Sequence, residues 1–358
     1  MGKSEIKELR EKIHEWAESL GFCQVGFSDT KLDDHGKKLQ NWLKAGFNAD
    51  MDYMANHGSM RWTPDRLKPG TKSIISLRIN YLEQEPPSKT ILENRSKGFI
   101  SKYAQGRDYH LTVRTKLKLL EKKIKLFCEE VKISGFESRL VTDSAPLLEK
   151  AVAEKAGLGW IGKNTLLINK TSGSYFFLGE ILTNLPLAKE DNRQPNQCGK
   201  CQACIKTCPT QAIRAPYSLD AKRCISYLTI ENRGAIPKKY RKPMGNRIFG
   251  CDDCQIVCPW NRYAKHNLED DFKPRHGLDN EDLENLFLWS EEEFIQKTAG
   301  SAIRRAGYNG WLRNIAVALG NAQKKSNISN VLLKKKGLSS LVDEHINWAL
   351  EQQSKDSI

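Results

Sequence analysis

"CGKCQACIKTCPTQAI", residues 198–213, sets four cysteines within eleven residues and closes the run with a proline. Cys198, Cys201, Cys204 and Cys208 before Pro209 have the CxxCxxCxxxCP spacing of bacterial ferredoxins. There, three thiolates wrap one face of a cubane and the fourth ligates the other cluster of a pair. A second run should therefore exist. Cys251, Cys254 and Cys258 before Pro259 supply it, with Cys224 replacing the missing first cysteine. The spacing allots Cys198, Cys201, Cys204 and Cys258 to one [4Fe-4S] cluster, and Cys208, Cys224, Cys251 and Cys254 to the other. Two zinc sites with four cysteine ligands each are the competing reading of CxxC pairs. The proline endings and the tight triple spacing favour cubanes.

Composition bounds the rest. A chain of 358 residues with eight of its ten cysteines between 198 and 258 is no disulfide scaffold, and it has room for two or three domains. No secretory leader pattern and no run of about 18 apolar residues stands out, so a soluble cytoplasmic chain with no membrane partner is expected. Cys23 and Cys128 read as ordinary buried thiols. Lysine and arginine exceed aspartate and glutamate by 57 to 43, a net charge of +14, which favours a polyanionic partner through counterion release.

Periodicity predicts an α+β fold. Ile6, Leu9, Ile13, Trp16 and Leu20 mark one face of a helix that Gly21 ends. β-like runs at "CQVGFS", "SIISLRI" (73–79), "SRLVTD" (138–143) and "SYFFLGEIL" (174–182) alternate with helical stretches at 107–132 and 146–156. An N-terminal α/β domain over 1–183, a two-cluster ferredoxin-like module over 184–265 and an α-helical segment over 266–358 are expected, with 184–197 as linker. Within the last segment, "LRNIAVALG" and "DEHINWALE" align at an offset of 31 and superpose Ile315 on Ile346, Ala318 on Ala349 and Leu319 on Leu350. That echo fits stacked helix pairs of HEAT type.

The stretch "VTDSAPLLEKAVAEKAGLGWIGKN", 141–164, is the richest of the N-terminal part. Asp143 ends a β-like run, Pro146 opens a helix, and Gly157 with Gly159 closes it. Asp143 reads either as an N-terminal cap of that helix or as a proton donor, should desolvation keep its carboxyl protonated. "GLGWIGKN" lacks P-loop spacing and the preceding strand of a dinucleotide fold.

Together with "GSYFFLGEILTN", "YAQGRDYH" (103–110), "WLRNIAVALGN" and the double cysteine run, this stretch resembles the epoxyqueuosine reductase family over nearly the whole chain. Reductive dehalogenases share the first two parts of that architecture. The resemblance implies an N-terminal cobalamin-binding domain, two [4Fe-4S] clusters, and reduction of epoxyqueuosine to queuosine in the anticodon loop of tRNA. It further implies electrons passing from the clusters to cobalamin and a proton from Asp143. Of the DxHxxG signature that supplies a histidine to cobalt, Asp108 and His110 match the first half and Val113 replaces the glycine. That departure implies base-off cobalamin and leaves His110 as a pocket-wall or core residue.

By matching position, Tyr103, Asp143, Leu167, Leu178, Asp252 and Asp253 would line the cobalamin. Arg304, Arg305 and Arg313 with Tyr308 and Trp311 would contact the tRNA through phosphates and stacked bases. A low-potential donor of flavodoxin or ferredoxin type and a monomeric state complete the expectation. A dehalogenase-like enzyme for a small molecule is the alternative enzyme reading, but it leaves the basic surplus and the helical tail without a use. A ferredoxin-like carrier is the alternative non-enzyme reading, and it leaves about 180 preceding residues idle.

Overall fold

A computed structural model describes residues 2–83, 89–188, 192–267 and 269–354. Residues 189–191 of the expected linker lie outside them. The four β-like runs all become strands: β1 (Gln24–Ser28), β2 (Ser73–Asn80), β3 (Ser138–Val141) and β4 (Phe176–Thr183). They form one sheet in the order β1-β2-β4-β3, antiparallel at every junction. An all-antiparallel sheet with helices packed on it is an α+β arrangement.

Because strand side chains alternate in direction, β2 and β4 present two different faces. Ile75, Leu77, Ile79 and Ile181 join Leu9, Ile13 and Ala17 of helix Lys3–Ser19 and Val113, Leu117 and Leu120 of helix Tyr109–Glu130 in one apolar cluster. Ile74 and Leu182 point the other way, toward Ala151 and Val152 of helix Glu149–Lys155. On that second face lie Ser76, Arg78, Leu178 and Glu180, with Ser76 opposite Glu180 and Arg78 opposite Leu178.

The N-terminal helix ends as expected, with Gly21 at φ +87°. Two expectations near it change. Cys128 is buried, whereas Cys23 is exposed, because it stands in the turn between that helix and β1. The helix expected from Pro146 starts at Glu149 with Leu148 at its N-cap, which removes the capping role considered for Asp143.

The cysteine-rich segment is not a separate bead. Its strand Arg247–Phe249 pairs in parallel with Phe99–Ile100. Ile225, Leu228 and Phe249 share an apolar cluster with Leu286, Trp311, Ile315 and Ile346, so packing runs straight through the boundary expected at 265. Helix Gly307–Asn321 is enclosed on all sides, every residue from Gly310 to Gly320 being buried. No helix among the described residues is long and apolar enough to cross a membrane.

That enclosure corrects two of the proposed nucleic-acid contacts. Trp311 is 0% exposed, stacks on Trp289 and donates its indole N–H to Leu286 O. Arg313 is 1% exposed and donates to the backbone carbonyls of Leu228, Asn232 and Gly234. A guanidinium has five N–H donors, and here three carbonyls and the side chain of Asn314 absorb them. Neither side chain can reach an RNA.

Candidate functional site

Of the eight clustered cysteines, Cys201 is exposed and the other seven are half-buried. Their thiols crowd one another. The thiol of Cys258 feels Cys198, Cys204 and Cys201, and that of Cys204 feels Cys198 and Cys201. Cys254 feels Cys224 and Cys208, while Cys251 feels Cys224. Cys254 also feels Cys204, ahead of Cys208. Burial first, then these neighbouring charges, pushes Cys204, Cys251, Cys254 and Cys258 up, the last to about 11. Thiols so crowded become thiolates only against bound cations, which is the chemistry that iron supplies. Among the described residues no three metal-ligating side chains converge on a single-ion site.

The glycine-rich "GLGWIGKN" has a structural task beside the clusters. Lys163 Nζ donates to the carbonyls of Gly199 and Cys201 at 2.6 and 2.8 Å, and Asn164 Nδ2 reaches Cys254 O at 3.3 Å. Gly159 is needed because a Cβ there would lie 2.2 Å from Ile168 O in the facing strand. This loop clamps the cysteine module to the sheet domain.

Asp143 sits just beyond β3 with φ +54°, a left-handed conformation that costs a residue bearing a Cβ. Its Oδ2 accepts the Tyr109 hydroxyl at 2.7 Å and lies 3.1 Å from His110 Nε2. His110 Nδ1 lies 2.7 Å from Asp108 Oδ1, so the imidazole bridges two carboxylates. Tyr109 is itself sandwiched, stacking on Phe177 with centroids 4.1 Å apart and on His110 at 4.2 Å. Tyr103 meets Tyr109 edge-on.

The electrostatics follow from these contacts. Desolvation acts to raise the Asp143 carboxyl, but hydrogen bonds from His110 and Tyr109 and the nearby charges of His110 and Arg305 outweigh it and hold it below the usual carboxylate range. Desolvation likewise opposes the His110 imidazolium, and bonds to Asp108 and Asp143 overcome it and raise the ring to about 9. The resting proton therefore sits on His110 and not on Asp143. The expectation that desolvation alone keeps Asp143 protonated is corrected, and so is the reading of His110 as mere wall.

Asp143 keeps 60% of its side-chain surface accessible even though desolvation is the leading influence on it. Lys150 behaves alike: it is exposed, yet crowding lowers its ammonium. Both side chains are thus reached by solvent while crowded by neighbouring protein. Leu167 packs with Phe176 and Leu158, and Ile161 and Leu178 join them, forming an apolar wall on the second face of the sheet.

The remaining expected residues divide. Asp252 is 1% exposed and accepts from Ser101 Oγ and from Lys102 N–H, so its carboxylate braces the segment leading to Tyr103. Asp253 is buried, and both its oxygens accept from Arg247, Nε to Oδ2 at 2.6 Å and Nη2 to Oδ1 at 2.5 Å, with Cys251 Sγ also donating to Oδ2 at 2.8 Å. Arg304 and Arg305 are exposed. Arg305 pairs with Glu231, lies over the Tyr53 ring and adds its charge to the field at Asp143. Tyr308 is half-buried, its hydroxyl donating to Trp289 O and receiving Lys335 Nζ.

Sequence reasoning missed Tyr109, Glu149 and Glu180, and gave His110 only a wall or core role. Glu180 was detectable as a lone charge inside the otherwise apolar "FFLGEIL".

Comparisons with known proteins converge on one group. The family described as "4Fe-4S double cluster binding domain" matches residues 197–261, and that described as "Epoxyqueuosine reductase QueG, DUF1730" matches residues 61–144. The epoxyqueuosine reductase of Pseudomonas aeruginosa is 51% identical over 348 residues, covering 97% of this chain and 95% of the relative. A solved epoxyqueuosine reductase with an epoxyqueuosine-modified tRNA-Tyr stem loop matches with a TM-score of 0.87 at 29% identity, over 98% of this chain and 91% of that one. Another, from Bacillus subtilis, has its aspartate-bearing catalytic loop swung out of the active site and matches with the same TM-score, identity and coverage.

Proposed function

The chain belongs to the epoxyqueuosine reductase family, and from that premise we propose that it reduces epoxyqueuosine to queuosine in the anticodon loop of tRNA. The observation that carries this reading is the solvent-accessible Tyr109–Asp143–His110 constellation in a chain that also bears the paired cysteine runs. Removing the epoxide oxygen consumes two electrons and two protons, yields the alkene and releases water. The chain must therefore deliver single electrons and protons to one point.

Two [4Fe-4S] clusters held by the tetrads carry the electrons, since cubanes transfer them singly. Cobalamin fits the residues present. The apolar wall of Phe176, Leu178, Ile161 and Leu167 suits a flat macrocycle. His110 is engaged by Asp108 and Asp143, which agrees with a base-off corrinoid lacking a histidine ligand. When bound, the corrinoid supplies a cobalt centre able to combine single electrons into a two-electron reduction.

The protein's own part is proton delivery. A nucleoside bound against Asp143 displaces water from it, raises the cost of its negative charge and draws the His110 proton across the 3.1 Å contact. Asp143 then hands that proton to the departing oxygen, and the second proton comes from solvent. Tyr109 keeps the carboxylate aimed meanwhile. By analogy with the swung-out loop of the Bacillus subtilis relative, the turn at Asp143 is the element that admits substrate.

Arg304 and Arg305 are the surviving tRNA contacts, with Arg305 near enough to act on the charge of Asp143. The C-terminal helices are read as HEAT-type pairs, supported by the burial of Ile315 and Ala318 on one helix and Ile346 and Ala349 on another that packs against it. The domain bounds 1–183, 184–265 and 266–358 remain useful for chemistry, with the last two sharing a core. A flavodoxin- or ferredoxin-type donor acting on a cytoplasmic monomer completes the proposal.

The test is anaerobic purification with cobalamin, incubation of modified tRNA with a low-potential reductant, and mass spectrometry of the released nucleosides. Appearance of queuosine establishes the activity. Unchanged epoxyqueuosine in the presence of both clusters and corrinoid refutes it.

A further inference from the structure

Behind Asp143 lies a second pair of acids that no step above uses. Glu180 stands mid-strand in β4, opposite Ser76 of β2 and Val141 of β3, and is 0% exposed. Such a position ordinarily holds an apolar side chain or a paired charge. Ser76 Oγ donates to Glu180 Oε1 at 3.2 Å, and Oε2 meets no donor among the described residues. The carboxyl of Glu149, at the first position of helix Glu149–Lys155, lies within hydrogen-bond reach of Glu180. Two ionised carboxylates cannot keep that contact away from water. One proton between them turns repulsion into a hydrogen bond and gives the orphaned oxygen a partner.

Glu149 has a second bond, which leads to the reaction. Its Oε1 accepts the backbone N–H of Asp143 at 2.7 Å. That bond falls on the residue at φ +54°, where a Cβ makes the backbone costly and some other contact must hold it.

We propose that Glu149 and Glu180 are positioning residues for the Asp143 chemistry: one shared proton joins their carboxyls, Glu180 thereby braces Glu149, and Glu149 holds the left-handed turn that presents Asp143 to substrate. The proposal rests on the reading of Asp143 as the group that gives its proton to the epoxide oxygen.

The groups facing this pair are Asp143 from the loop after β3, Tyr109 and His110 from the long helix, Lys150 from Glu149's own helix and Ser76 from β2. Burial, ahead of the adjacent carboxylates, pushes Glu149 up to about 7 and Glu180 well above its ordinary range. The two titrate as a unit. Below about pH 7 the pair takes a second proton and the hold on the Asp143 N–H weakens; above it the single shared proton is in place.

The test uses enzyme loaded with clusters and cobalamin. Infrared spectra at pH 8 should show a protonated-carboxyl C=O band that Glu180→Gln removes. Steady-state rates for Glu149→Ala should show kcat lower by tenfold or more with KM within about twofold of wild type. Glu180→Gln, whose amide imitates the protonated acid as a donor, should turn over at least tenfold faster than Glu180→Leu and lose the inflection near pH 7. No such band in the wild-type enzyme, or an undiminished kcat in Glu149→Ala, overturns the proposal, and both readings stand even if Glu180→Leu fails to fold. A wild-type band without any tRNA turnover supports the pair and refutes the substrate reading instead.

Discussion

In the proposed mechanism Asp143 and His110 divide one task between them. A carboxylate held below its usual range is a poor acid, and an imidazolium raised to about 9 is a full proton store at neutral pH. Asp143→Asn keeps the shape of the site and removes the relay, so it should retain iron, sulfide and cobalamin while turnover falls by about 10²-fold or more, the span general acid catalysis covers. Undiminished turnover in nucleoside mass spectrometry would take Asp143 out of the mechanism. The His110 proton offers a second check. Its folded pKa lies above the ordinary 6.5, so its contribution to stability is complete below about 6.5 and fades as pH rises through about 9. Ring resonances of His110 should titrate near 9 in the wild type and closer to the ordinary value in Asp108→Asn.

At the scale of elements, what could be read in advance followed strict local rules. All four strands and the two flanking helices appear where alternation and 3.6-residue periodicity place them, because each buries an apolar face against a neighbour. The double-cluster module was legible for a different reason, since cluster ligation fixes cysteine spacing directly, and residues 197–261 match a 4Fe-4S double cluster binding domain. Misreadings came where tertiary surroundings decide. Arginine and tryptophan in "GYNGWLRN" look like a solvent face, yet helix Gly307–Asn321 has neighbours on every side. The Asp143–His110–Glu149 constellation joins residues that only folding brings together, at a φ that no pattern announces.

Two predictions separate the arginines. Arg313→Met should cost about 3 kcal/mol in denaturant unfolding, because it strands the carbonyls that Arg313 now satisfies. Neutralising Arg304 and Arg305 should leave that stability nearly unchanged and flatten the salt dependence of tRNA binding. Two lost phosphate contacts on a single-stranded loop lower the log–log slope by about 1.4. Equal slopes for the variant and wild type would move the interface elsewhere.

Across the whole molecule, the redox module and the C-terminal helices stand or fall together, while the sheet domain keeps its own core. The carbonyls that Arg313 grips, at Leu228, Asn232 and Gly234, belong to the segment that directly follows Cys224, the proposed cluster ligand. Ile225 and Leu228 of that segment pack in the same cluster as Trp311 and Ile315. Stripping iron leaves eight crowded thiols with no cation to organise them, and the disorder should pass along this segment into helix Gly307–Asn321. Amide exchange across that helix should then speed up by tenfold or more after anaerobic chelation, the signature of a cooperative unit losing about 1.4 kcal/mol of local stability. Leu9, Ile13, Ile75 and Leu77 lie in a separate apolar cluster, and their amides should keep their protection. A helix Gly307–Asn321 that exchanges no faster without iron would mean that the shared core stands without the clusters.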